Sequence, residues 1–111
     1  MSVTSKLTDK LITELTEAGF SLGGFKQFVI DIVKNNGEDY LIDNSKGWTN
    51  CAIGLYINSL GITPNYSQVY IEYICIEFFG DIIANYVLLG EDGQTYNELL
   101  QVIYEYEEYP I

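Results

Sequence analysis

Apolar residues recur at helical spacing along most of this chain. Leu7, Leu11, Leu15 and Ala18 fall on one face of a helix over residues 4–18, with Thr4 or Ser5 to cap it and Gly19 to stop it. After a short link, residues 25–43 (FKQFVIDIVKNNGEDYLID) carry two patterns at once. They read as a helix ending at residues 35–37, or as two strands, 27–33 and 39–43, joined by an Asn-Gly turn. The β-branched content and the Asn-Gly step favour the hairpin. A lone hairpin is marginal, so it must lie on the helices. Residues 48–60 read as another helix, stopped by Gly61. Thr63 then serves as a cap and Pro64 as a first helical residue.

The longest predicted helix covers about residues 65–89. Ile71, Ile74, Cys75, Phe78, Phe79, Ile82, Ile83, Tyr86 and Val87 form its apolar stripe, with Gly80 as a point of bending. Glu77 lies opposite that stripe, on the side of Tyr73 and Ala84, and Asp81 flanks it. A loop over residues 90–93 ends the helix. Thr95 and Glu98 have capping-box spacing for a last helix with Leu99, Leu100, Ile103 and Tyr104 facing inward. The predicted fold class is α+β, mainly α: about four helices around one core, with a small β-hairpin over residues 27–43. Apolar residues make up 48% of the 111, enough for residues 1–111 to form a single compact domain.

Charge changes the picture most. Sixteen Asp and Glu face five Lys, with no Arg and no His, for a formal net charge of −11. The halves differ sharply. Residues 1–46 hold 7 acids and 5 lysines, and residues 47–111 hold 9 acids and no cation. The second half therefore presents a largely unneutralised negative field, or it meets a basic partner. A disordered acidic tail would lack this aromatic and branched content.

The same composition excludes much chemistry. Without His, the commonest general base and every Ser-His or Cys-His arrangement are missing. Without Arg, no bidentate clamp can hold a phosphate. Gly23-Gly24 lacks the spacing and lysine of a phosphate loop. Glu77 and Asp81 are one turn apart, which suits a glycosidase pair, but a solvated helix face is the commoner meaning. No loop shows the ligand alternation of a calcium site. Cys51 and Cys75 lie in apolar stretches and read as small buried hydrophobes, too few to hold zinc. No enzyme activity, metal or cofactor is expected.

The segment over residues 69–89 is long enough to span a bilayer but carries Glu72, Glu77 and Asp81, each expensive in lipid. The start of the chain has no signal-peptide pattern. The chain is expected to be cytoplasmic, without a membrane partner. Nor should it bind nucleic acid directly, since that needs a basic footprint.

What remains is binding. The candidate partner-binding residues are Glu72, Glu77, Asp81, Glu91, Asp92, Glu98, Glu105, Glu107 and Glu108, with Tyr73 and Tyr106. The bland alternative is a solvated face, and for Glu98 a helix cap. Helical turns repeat every 5.4 Å, on the scale of phosphate spacing, so carboxylates on a helix can imitate a run of phosphates. In composition the chain resembles small acidic phage and plasmid proteins that block restriction or CRISPR effectors, although no family motif aligns. The expected function is a DNA mimic that inhibits a basic nucleic-acid-binding enzyme. The alternatives are an immunity protein or antitoxin against a basic toxin, and a self-associating structural or regulatory module such as a homodimer.

Overall fold

A computed structural model describes residues 3–43, 51–62, 68–88 and 94–108, with side chains for 9–43, 51–62, 71–87 and 94–107. Six helices run in order along these residues: α1 (Val3–Ala18), α2 (Leu22–Asn36), α3 (Ala52–Ser59), α4 (Gln68–Phe79), α5 (Asp81–Leu88) and α6 (Tyr96–Glu108). They share one core. At its centre Phe20 stacks on Phe79 at 5.3 Å and meets Tyr56 at 5.1 Å and Phe78 at 4.7 Å. Phe25 adds contacts with Tyr56 and Phe79, each at 5.6 Å. These rings join the α1–α2 link, α2, α3 and α4, and α6 adds Tyr96, Leu99 and Ile103, all buried. The cap and restart predicted at Thr63 and Pro64 lie outside the described residues.

The expected hairpin over residues 27–43 is overturned: the first of its strands is part of α2, and the described residues form no sheet. The energetic balance explains why. Placing Val or Ile in a helix costs a few tenths of a kcal/mol per residue, up to about 0.7. Burying a large apolar side chain is worth about 1.5–3 kcal/mol. Phe25 and Val29, one turn apart, are fully buried, and Phe28, Ile32 and Val33 pack partly against the core. Only a helix points these residues to one side. Ser21 caps α2 by accepting a hydrogen bond from the Gly24 N–H at 3.0 Å. The Asn-Gly step that suggested a turn is the helix end: Gly37, at φ 92°, donates its N–H to the Val33 carbonyl at 2.8 Å.

The second expected strand, residues 39–43, is reduced to a single bridge with a different partner. The Ile42 N–H donates to the Gln94 carbonyl at 2.8 Å, and the Tyr96 N–H donates to the Tyr40 carbonyl at 3.0 Å. This isolated antiparallel bridge, centred on Leu41 and Thr95, fastens the segment after α2 to the start of α6.

The long predicted helix is two helices. Gly80, at φ 85°, ends α4 by donating to the Ile76 carbonyl at 2.9 Å, and its own carbonyl accepts the Ala84 N–H at 3.0 Å. The break resets the helical phase. Ile83, Ala84 and Val87 are buried in α5, whereas Ile82 and Tyr86 face outward. The stripe drawn through Ile82 and Tyr86 is thus corrected, and Ala84 belongs to the core.

Candidate functional site

The acidic residues proposed from sequence lie on α4, α5 and α6, and the folding of these helices decides which carboxylates reach solvent. Burial of Ile71, Ile74, Cys75 and Phe79 turns Tyr73 and Glu77 outward on α4. Glu72 is partly buried and close enough to Cys75 to act on its thiol. Asp81 is exposed as the first residue of α5. A carboxylate there interacts favourably with the helix N-terminus, a structural role invisible to a sequence pattern that runs α4 and α5 together as one helix.

On α6, Thr95 accepts the Glu98 N–H at 3.0 Å, so the predicted cap is in place and Glu98 stands in the first turn, exposed. Glu105 is exposed. Glu107 is not a free carboxylate: its Oε2 accepts from the Lys26 Nζ at 2.8 Å, joining α6 to α2. The same ammonium lies 5.2 Å from the centre of the Tyr104 ring. Hydrogen bonding to Glu107, with the attraction of that carboxylate, raises the Lys26 pKa against a smaller opposing effect of desolvation. Tyr104, expected on the inward face, is exposed. Tyr106 packs partly against the core instead, with its hydroxyl beside Gly80. Glu91 and Asp92 lie outside the described residues. Glu108 closes α6, and its side chain lies outside the described set.

Tyr73 and Glu77 thus share the exposed side of α4, Asp81 is exposed just past the Gly80 kink, and the Tyr106 hydroxyl lies near that glycine. Sequence reasoning missed Ile76, Ile82 and Tyr86, which are exposed on the same two helices. The assumed continuous phase across Gly80 hid the outward turn of Ile82 and Tyr86, whereas Ile76 already lay off the predicted stripe.

The two cysteines are free and buried. Burial pushes the Cys75 thiol well up, and Cys51 and Glu72 nearby add to the effect. Burial also raises Cys51, against the lowering effect of local backbone hydrogen bonds. Both thiols are protonated near neutral pH and poor as nucleophiles. Among the described residues no group of three or more Cys, Asp and Glu could hold a metal ion, and no helix is long and apolar enough to cross a membrane. No family model, curated protein or solved structure matches the chain.

Proposed function

We propose that this chain is a non-catalytic acidic binding protein that occupies the basic surface of a nucleic-acid-binding enzyme as a DNA mimic. The observation that carries this reading is the exposure of Glu77, Asp81, Glu98 and Glu105 within a half of the chain that has no cation. Among the described residues the one salt bridge is Lys26–Glu107, which leaves these four without an ion pair. Ionised carboxylates accept hydrogen bonds and donate none, as phosphate oxygens do. An uncompensated field of this sign speeds encounter with a basic groove, and occupation of the groove excludes the nucleic acid. A CRISPR effector or a restriction enzyme is a partner of this kind, met in the cytoplasm. The chain itself binds neither nucleic acid nor membrane.

The test is capture from lysate of the source cell with the tagged chain, at low and high salt and with competing duplex DNA. The expected result is a basic nucleic-acid enzyme that both salt and DNA release, and that the Glu77→Lys/Asp81→Lys variant no longer retains while its circular dichroism stays helical. Recovery of a basic toxin would instead make the chain an immunity protein. A partner indifferent to salt and DNA, or to the double reversal, would defeat the mimicry reading.

A further inference from the structure

Seven large apolar or aromatic side chains are exposed among the described residues, and four of them lie between residues 73 and 86. Tyr73 and Ile76 on α4 are 45% and 46% exposed, and Ile82 and Tyr86 on α5 are 41% and 49% exposed. Scattered exposed apolar residues are ordinary, whereas four on two consecutive helices point to an interaction surface. Tyr73, Ile76 and Glu77 share one side of α4 by their three- and four-residue spacing, and Asp81, Ile82, Asn85 and Tyr86 share one side of α5. The helices join at Gly80, which is itself exposed. Each helix thus presents one isoleucine, one tyrosine and one carboxylate on an exposed side.

We infer that the α4–α5 face receives a basic amphipathic helix of the partner protein, with the partner's aliphatic side chains against Ile76 and Ile82 and its lysines or arginines against Glu77 and Asp81. This rests on the proposed acidic-capture function and adds a dry apolar centre to it. Charge selects the occupant. Residues 73–86 carry Glu77 and Asp81 as their charged side chains and no cation. Two copies meeting on this face would oppose these carboxylates with nothing to neutralise them, and such like-charge contact disfavours the wrong partner. A basic helix satisfies both features at once: its apolar residues recur at i, i+3 and i+4, and its cations flank that row. Apolar anchors then hold the complex, while the acids set its capture rate and orientation.

The experiment titrates the whole chain with two labelled helical peptides, one of Lys and Leu in amphipathic register and one with each Leu replaced by Ser, and reads fluorescence anisotropy. The Lys/Leu peptide should bind more tightly. Ile76→Gln/Ile82→Gln should weaken it about tenfold or more, as loss of a central anchor does, and leave the Lys/Ser peptide unchanged. At about 1 M salt, where screening acts within about 3 Å, a measurable part of the Lys/Leu affinity should persist. Tyr73→Gln/Tyr86→Gln tests the same face should the isoleucine variant lose helicity. Equal binding of the two peptides, or full affinity in both variants, overturns the apolar anchor and leaves the acidic-capture function standing. Sedimentation of the chain as a dimer that Ile76→Gln/Ile82→Gln dissociates overturns the inference in favour of a second copy. Failure of both peptides to bind overturns the inference and the acidic-capture function together.

Discussion

Gly23 and Gly24 are neighbours in α2 with opposite structural demands. A Cβ at Gly24 would overlap the Tyr56 hydroxyl, whereas one at Gly23 would meet nothing within 4 Å. The Tyr56 hydroxyl also accepts the Ser21 N–H at 3.3 Å, so this close approach ties α3 to the start of α2. Gly24→Ala should therefore lower stability by about 1–3 kcal/mol through overpacking. Gly23→Ala should raise it by up to about 1 kcal/mol through helix propensity. Urea unfolding of the two variants, with unchanged slopes, checks the pair. Equal effects would show that Tyr56 yields freely. Tyr96 gives a pH test at the same scale. Burial pushes its phenol up to about 12 from an ordinary 10.0. The folded state thus favours the neutral phenol, so this contribution is complete below pH 10 and is lost as pH rises toward 12. Wild type should lose more stability than Tyr96→Phe across that window, as chemical denaturation at each pH would measure.

At the scale of elements, the places where sequence reading succeeded and failed have a common cause. α1 and α6 were legible because each has an uninterrupted apolar period, with Leu11 and Leu15 buried on one and Leu99 and Ile103 on the other. α2 was misread because Asn-Gly marks left-handed backbone, which serves a hairpin turn and a helix end equally well. Only tertiary burial of Phe25 and Val29 separates the two uses. The α4–α5 face was misread because one glycine at positive φ shifts the phase of every later residue. Glu77 was legible as an outward residue, while Ile82 and Tyr86 were not. Gly80→Ala tests the importance of the break. A left-handed residue with a Cβ costs about 1–2 kcal/mol, so the variant should unfold at lower urea by that amount. If it proved more stable than wild type, α4 and α5 would be better described as one helix held bent by its surroundings.

At the scale of the whole molecule, net charge acts on folding and binding with opposite signs. The molecule measures 43 × 33 × 23 Å. At about 0.01 M salt the screening length is about 30 Å, comparable with these dimensions, so nearly every carboxylate repels every other. At physiological salt it falls to about 8 Å, and mainly adjacent groups interact. With a net charge of −11 and Lys26–Glu107 as the one salt bridge among the described residues, screening removes far more repulsion than attraction. The urea midpoint of the free chain should therefore rise between these salt concentrations, while capture of a basic partner weakens over the same range. A protein whose charge served only solubility would show both effects but would bind the peptide nearly as well after Glu77→Lys/Asp81→Lys. One whose carboxylates were paired in the fold would show a falling midpoint. Parallel measurement of unfolding and of Lys/Leu peptide binding across one salt series, in wild type and in Glu77→Lys/Asp81→Lys, separates these cases, because a functional acidic face loses its salt-sensitive binding in the variant whereas attraction by the remaining net charge persists.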